Sequence, residues 1–100
     1  MAKFRFSRRA EADLLGIGDY TLRTWGEKQT EHYLHELEEC CWRLAENPTL
    51  GRACDTIRPG LRRMEQGRHV LFYRAIPNGI RVVRILHQSM LPEKHPMEDE

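Results

Sequence analysis

Two stretches with helical periodicity follow one another almost without interruption, and this arrangement restricts the fold more than any other feature of the chain. The first begins after Ser7, a residue type that favours helix N-caps, and the second begins at Glu27 and ends before Pro48. Because little more than Gly26 separates them, we predict an antiparallel helical hairpin that buries both apolar stripes. The stripe residues are Ala10, Leu14, Ile17 and Thr21 in the first helix and Tyr33, Leu37, Cys40 or Cys41 and Leu44 in the second.

Strand-like segments flank the predicted hairpin. Lys3–Ser7 alternates aromatic and basic residues, which is the period of a half-buried strand. After a loop over residues 47–60, rich in proline and glycine, three further runs at Leu61–Gln66, His69–Ile76 and Ile80–His87 are separated by turn residues. The order β-α-α-β-β-β predicts an α+β domain in which the helical hairpin packs on one face of a small, mainly antiparallel sheet.

The last strand carries apolar residues on both faces, which predicts a central position in the sheet. Strict alternation places Ile80, Val82 and Leu86 on one face. It places Val83 and Ile85 on the other. Because the helices cover only one face, this second set lacks an evident cover, and we expect a partner protein to provide one.

The length and composition suit a single globular domain. The chain has 100 residues, of which 40% are hydrophobic and 31% charged, so it can form one hydrophobic core. Apolar patterning stops at Leu91. We therefore expect one domain over residues 1–91 and a mobile tail over residues 92–100.

Charge and cysteine usage limit the class of protein. Sixteen basic and fifteen acidic residues leave a formal net charge of +1, which does not indicate a nucleic-acid-binding protein. The N-terminus lacks the apolar segment of a secretory signal, which predicts a cytoplasmic protein. Cys40, Cys41 and Cys54 have neither disulfide nor zinc spacing, so we interpret them as buried small hydrophobes and expect no metal or cofactor.

Several short motifs, in their order and spacing over most of the chain, carry a resemblance to a known family. They are Ser7 with Ala10, Asp13, Leu14 and Ile17; Trp25-Gly26; Asn47-Pro48 with Gly51; Phe72-Tyr73-Arg74; and Arg84-Ile85-Leu86-His87 with Met90. The chain resembles the ParE branch of the RelE/ParE toxins. The resemblance implies a toxin of a type II toxin-antitoxin system that is neutralised by the C-terminal segment of a ParD-like antitoxin. It further implies a hetero-oligomer, a heterotetramer or larger, with DNA gyrase as target and no sequence-specific DNA binding by the toxin alone.

The other branch of this family resembles ribosome-dependent mRNA endonucleases, which require a group that activates the 2′-OH, donors for phosphate charge and an acid. The available groups are Arg62, Arg63, Glu65, His69, Tyr73, Arg74, Arg81, Arg84 and His87. Strand alternation separates Arg84 from Arg81 and His87, so this set is incomplete as a catalytic site. We therefore predict a gyrase inhibitor without catalytic residues, with the mRNA endonuclease and a toxin that has lost its activity as alternatives.

The candidate site residues follow from the positions of the basic and strand-end side chains. Candidates for the toxic surface are Arg63, Tyr73, Arg74, Arg84 and His87. Candidates for antitoxin binding are Arg63, Arg74, Arg81, Val83 and Ile85. Two of these residues have a stronger structural interpretation: Arg84 as the partner of a carboxylate such as Asp13 or Glu65, and Tyr73 as a core residue.

Overall fold

The structure, a computed structural model, describes residues 1–97 and shows within them a helical hairpin packed on a five-stranded sheet. The elements are β1 (Lys3–Phe6), α1 (Arg8–Trp25), α2 (Glu27–Glu46), β2 (Arg52–Ala53), β3 (Arg62–Gln66), β4 (His69–Ile76), β5 (Gly79–His87) and a 3-10 turn at Pro92–Lys94. The sheet order is β1-β5-β4-β3-β2, with β1 parallel to β5 and every other pair antiparallel. The predicted α+β class and the central position of the last strand are confirmed. The additional element is β2, which lies in the predicted loop and is too short to produce a periodic signal.

The ends of the helices are fixed by side-chain and backbone contacts. The Ser7 hydroxyl accepts a hydrogen bond from the Ala10 amide at 3.0 Å and donates one to the Val83 carbonyl at 2.7 Å, which ties the start of α1 to β5. Gly26 has a φ of 87° and turns the chain directly from α1 into α2, a conformation that glycine adopts without strain. Among the described residues, no helix has both the length and the apolar character needed to cross a membrane.

The main core lies between the hairpin and the sheet. Its buried residues are Ala10, Ile17, Leu37, Cys40, Cys41, Leu44, Ala45, Leu71, Tyr73, Ile80, Val82 and Ile85. Two of the three cysteines lie in this core, and burial raises the pKa of the Cys41 thiol to about 12. Cys54 is buried in a second cluster on the other side of the sheet. The interpretation of the cysteines as small buried hydrophobes is therefore confirmed.

The second face of the sheet is covered within the chain, so the expectation that it needs an external cover was wrong. Val83 and Leu86 pack there against Phe72. The loop between β2 and β3 contributes Cys54, Ile57 and Leu61 to the same cluster, and Met97 adds a further buried side chain. The loop lacks apolar periodicity, which is why the sequence did not predict that it forms a layer.

The predicted faces of β5 were correct only for its first half. The register pairs Phe72 with Arg84 and Tyr73 with Val82, which leaves Val83 as an extra residue in a β-bulge. Beyond such a bulge the side chains change faces. Ile85 consequently joins the helix-side core and Leu86 joins the second cluster, the reverse of the prediction.

The segment after Leu91, for which the sequence predicted a mobile tail, packs against the domain as far as the structure describes it. The Arg58 guanidinium donates to the Met97 carbonyl, and Arg84 donates to the Pro96 carbonyl at 3.0 Å. These contacts hold Met97 over the second cluster. Residues 98–100 of the predicted tail lie outside the described residues.

Candidate functional site

Three arginines lie side by side on the face of the sheet that is turned away from the helices. Arg5 is opposite Arg81 in the β1–β5 register, and Arg81 is opposite Arg74 in the β4–β5 register. We name these three residues the arginine row. Neighbouring strands are about 4.8 Å apart, so the row concentrates three positive charges within a short distance. The row is therefore a basic stretch of the outer face of the sheet.

Arg63 lies on the same face of the sheet, beside Phe72 and Glu65. Its guanidinium stacks over the Phe72 ring at 5.4 Å from the centroid and lies 3.2 Å from a Glu65 carboxylate oxygen. Arg52 contacts the same oxygen at 2.7 Å. Although desolvation acts in the opposite direction, the hydrogen bond from Arg52 and the two guanidinium charges lower the pKa of Glu65. The charge of Arg63 is therefore partly compensated within the chain.

Arg84 forms a structural ion pair with Asp13. Its Nε and Nη2 atoms donate to the two carboxylate oxygens of Asp13 at 2.8 and 2.9 Å, a bidentate arrangement. The Asp13 carboxylate also accepts a hydrogen bond from the Ile85 amide at 2.9 Å. It thus provides a partner for a backbone amide of β5 beyond the end of β1. The hydrogen bond with Asp13 raises the pKa of Arg84, which keeps it charged. The structural interpretation of Arg84 is confirmed, and the pairing leaves its side chain 11% exposed.

Three other candidate residues are buried and cannot form a surface in this fold. Tyr73 lies in the main core, where its hydroxyl accepts the Gly51 amide at 2.8 Å and donates to the Pro48 carbonyl at 2.9 Å. Val83 and Ile85 are buried in the two clusters on either side of β5. Their proposed roles as toxic-surface and antitoxin-binding residues are corrected for the same reason, because no partner can reach them.

His87 lies in a groove beside α1, on the helix side of the sheet. The groove has a volume of about 470 Å³, and its walls include Gly16 and Tyr20 from α1 and His69 from β4. The rings of His69 and His87 meet edge to face with centroids 5.4 Å apart. We name this space the α1 groove. In this groove His87, a candidate for the toxic surface, lies beside a second titratable side chain, His69.

Tyr33 and Arg68 complete this cluster, and sequence reasoning did not find them. The Tyr33 hydroxyl accepts a hydrogen bond from the Arg68 amide at 3.1 Å. It also forms a hydrogen bond with the Nδ1 atom of His69. Partial burial raises the pKa of Tyr33, so the hydroxyl keeps its proton. The hydroxyl also donates to the Gln66 carbonyl at 3.4 Å, and the tautomer of His69 sets the direction of the hydrogen bond with Nδ1. Tyr33 belongs to the apolar stripe of α2, and nothing in its local sequence indicates a partner on β4.

The protonation of His69 predicts a pH dependence of stability. Desolvation is the main cause that lowers the pKa of His69 below its ordinary 6.5. The nearby His87 lowers it further, and Asp13 opposes the shift. Between the folded and unfolded pKa values the unfolded chain binds more protons, so the free energy of unfolding should fall as the pH drops through and below about 6.5. Urea denaturation between pH 8 and 5 measures this dependence. His69→Gln should reduce it, whereas His35→Gln, at an exposed site on α2, should not. Equal pH profiles for all three proteins would contradict the prediction.

The arginine row and the histidine cluster lie on opposite faces of the sheet. The arginine row is on the outer face, whereas Tyr33, His69 and His87 are on the helix side. A substrate phosphate in contact with the row would therefore be separated from the histidines by the sheet itself. The predicted separation of Arg84 from His87 is not what the fold shows, because both line the α1 groove together with Arg68 and His69. Arg81 lies on the outer face, apart from them.

The chain is similar to known toxins over nearly its whole length. Residues 4–92 match the family described as ParE toxin of type II toxin-antitoxin system, parDE. Toxin ParE1 of Mycobacterium tuberculosis strain H37Rv is 49% identical over 90 residues, covering 89% of this chain and 92% of the relative. Toxin ParE1 of Caulobacter vibrioides is 42% identical over 97 residues, covering 95% of this chain and 98% of the relative.

A solved structure shares the fold. The protein, from a chromosomal ParDE TA system of P. aeruginosa, superposes with a TM-score of 0.71, covering 87% of this chain and 96% of that one. The two sequences are 22% identical, so this likeness concerns the fold alone. It agrees with the helical hairpin and five-stranded mixed sheet described above.

Proposed function

The chain belongs to the ParE toxin family of type II toxin-antitoxin systems, and on this premise we propose that it inhibits bacterial growth by binding DNA gyrase, without catalytic turnover of its own. The observation that carries the proposal is the family match over residues 4–92. Inhibition of gyrase is the general property of this family. Since gyrase acts on chromosomal DNA, the proposal places the toxin in the cytoplasm.

The arginine row supports the proposed binding mode. The arginine row is a compact basic surface on a protein whose formal net charge is only +1. Such a surface attracts acidic side chains or DNA phosphates by charge, and it needs no acid or base to do so. We propose that Arg74 and Arg81 form the centre of the toxic surface, with Arg63 beside them and His87 on the opposite face of the sheet as a separate candidate.

The same residues account for neutralisation by a ParD-like antitoxin. We propose that acidic side chains of the antitoxin bind Arg63, Arg74 and Arg81, so that antitoxin and target compete for one surface. Ordering a C-terminal segment costs free energy, and tight binding therefore requires an interface larger than the roughly 1,600 Å² of a standard complex. A hetero-oligomer, a heterotetramer or larger, would supply that area.

A supercoiling assay with purified gyrase tests the proposed target. Wild-type toxin should inhibit the enzyme, and Arg74→Gln/Arg81→Gln should raise the concentration needed by at least about tenfold, since a factor of ten corresponds to only about 1.4 kcal/mol of binding. The matched control is Arg23→Gln/Arg43→Gln, which removes the same charge from exposed positions on the two helices. The control should inhibit like the wild type. Equal inhibition by both double variants would contradict the role of the arginine row.

The mRNA endonuclease remains the second candidate because of one observation, the cluster of Tyr33, His69 and His87, of which the two histidines line the α1 groove. These groups could exchange protons with an RNA 2′-OH. An in vitro translation reaction scored for mRNA cuts separates the two functions. Cleaved mRNA that is lost in His87→Ala, together with unaffected gyrase, would replace the first proposal by the second. Unchanged growth on expression without antitoxin would instead indicate a toxin that has lost its activity.

A further inference from the structure

Two exposed aromatic side chains of α1 line a cavity next to the α1 groove. The cavity has a volume of about 350 Å³, and its walls include Tyr20 and Trp25 from α1, Gln29 and Tyr33 from α2 and Arg68 from the turn between β3 and β4. We name this cavity the Trp25 pocket. Tyr20 is 63% exposed and Trp25 is 60% exposed, so both rings present apolar surface that a ligand could cover.

The Trp25 pocket and the α1 groove adjoin each other. Tyr20, Arg68 and His69 contribute to the walls of both spaces, and the groove adds His87. Cavities of roughly 300 to 1,000 Å³ typically hold small molecules. The two adjoining spaces therefore suit one small ligand with two chemically different parts.

Arg68 is a cation held at the junction of the two spaces. Its amide donates to the Tyr33 hydroxyl at 3.1 Å and its carbonyl accepts a hydrogen bond from the Gln88 amide at 2.9 Å, so its backbone is tied both to α2 and to the end of β5. Gly67 permits this approach, because a Cβ atom there would lie 2.7 Å from the Tyr33 ring. Within residues 1–97 the Arg68 guanidinium forms neither a hydrogen bond nor an ion pair, which leaves its charge available to an anion.

His87 supplies a hydrogen-bond donor to the groove without needing a charge. The Ser89 amide donates to its Nδ1 atom at 3.1 Å, so the proton of the neutral ring is on Nε2. No group among the described residues bonds this Nε2 atom. The Nε2–H group can therefore donate to a ligand oxygen.

The charges that line the two spaces favour an anion. Asp13 provides the one carboxylate that the described part of the chain places in either lining, and both of its oxygens are bonded to Arg84. The charges of this pair cancel, and the charge of Arg68 remains. A guanidinium with a neutral N–H donor beside it is well suited to a phosphate group.

The Trp25 pocket has the residue types that bind a nucleobase. Aromatic rings such as those of Tyr20 and Trp25 bind the flat face of a base by stacking. The exposed Gln29 amide both donates and accepts hydrogen bonds, so it can pair with the edge of the base. A phosphate in the groove and a base in the pocket are the two parts of a nucleotide.

We propose that the α1 groove and the Trp25 pocket together bind a nucleoside monophosphate, with the phosphate at Arg68 and His87 and the base stacked on Tyr20 and Trp25. One uncompensated guanidinium suits a single phosphate group better than a triphosphate. It also suits a mononucleotide better than a nucleic-acid strand, because a strand requires a series of cations along its backbone. This inference goes beyond the proposed function and does not rest on it, since the arginine row lies on the other face of the sheet.

Tryptophan fluorescence tests the base site, because the chain has only two tryptophans, Trp25 and Trp42. In Trp42→Phe, AMP should quench the emission of the remaining Trp25 in a saturable manner. In Trp25→Phe, the emission of Trp42 should not change, because Trp42 packs on Phe4 and does not line the pocket. Any other pattern of quenching would overturn the stacking.

Calorimetric titration of the toxin alone tests the phosphate site. Wild-type toxin should bind adenosine, which has no phosphate, at least about tenfold more weakly than AMP. Arg68→Gln should weaken the binding of AMP by at least about tenfold and leave that of adenosine unchanged. The control Arg23→Gln removes the same charge from an exposed position in the last turn of α1 and should bind AMP like the wild type.

Three results of the titration would overturn the inference. Equal affinities of the wild type for AMP and adenosine would exclude a phosphate site, whether or not the variants fold. Equal weakening of AMP binding by Arg68→Gln and Arg23→Gln would show attraction by overall charge alone. Tighter binding of a single-stranded oligonucleotide than of AMP would replace the mononucleotide by a nucleic-acid strand. Because gyrase is absent from this experiment, a toxin that binds AMP and does not inhibit gyrase would overturn the proposed target and leave the nucleotide site intact.

Discussion

Asp13→Ala is expected to lower the free energy of unfolding by about 3 to 5 kcal/mol, the usual cost of removing one partner from a buried ion pair. The Asp13 and Arg84 side chains are only 14% and 11% exposed, so the loss of the carboxylate leaves the guanidinium poorly solvated. The substitution also removes the acceptor of the Ile85 amide. Chemical denaturation monitored by circular dichroism measures the change.

Asp19→Ala is the matched control for this prediction. Asp19 is exposed on the same helix, and such substitutions usually change stability by less than about 0.5 kcal/mol. Equal denaturation midpoints for the two variants would show that the Asp13–Arg84 pair does not stabilise the fold. Because the pair is structural, any loss of toxicity in Asp13→Ala should follow the loss of folded protein.

Local patterns were sufficient to predict most of the fold. The two apolar stripes, the single glycine between them and the turn residues between the strands each act over a few positions, so the sequence specifies them directly. The short strand at Arg52–Ala53 was missed because its existence depends on β3, with which it pairs, rather than on its own composition.

The features missed on β5 all depend on long-range pairing. The bulge at Val83 is defined by the register against Phe72 and Tyr73, and it reverses the faces of Ile85 and Leu86. The alternation of residues along β5 alone cannot predict the bulge, because the bulge depends on the pairing with β4. The prediction that a partner must cover Val83 and Ile85 failed for two reasons: the bulge moves Ile85 to the helix-side core, and the loop between β2 and β3 covers Val83.

The candidate site was predictable only as a set of residue types. The sequence identified Arg74 and Arg81 as basic strand residues, but their alignment with Arg5 arises from two separate registers. The contact of Tyr33 with His69 joins residues 36 positions apart. Tyr73 and Arg84 are likewise buried by residues that are distant in the sequence, so their burial could not be read from the strands alone.

The core of the hairpin predicts the other large effect. Leu37→Ala should lower the free energy of unfolding by about 2 to 5 kcal/mol, because the side chain is only 2% exposed and its removal leaves a cavity in a close-packed core. Domains of this size are stable by only about 5 to 15 kcal/mol. A large fraction of the variant should therefore be unfolded or insoluble in the cell.

Leu15→Ala separates the effect of burial from that of residue type. Leu15 is 75% exposed on α1, so the same substitution there removes almost no buried surface and should leave the denaturation midpoint nearly unchanged. If both variants denature at the same urea concentration as the wild type, the stripe through Leu37 does not form the core. If only Leu37→Ala is destabilised, its loss of growth inhibition should match its loss of folded protein, and the inhibition of gyrase per folded molecule should stay constant. That constancy is expected because Leu37 lies between the hairpin and the sheet, on the opposite side of the sheet from the arginine row.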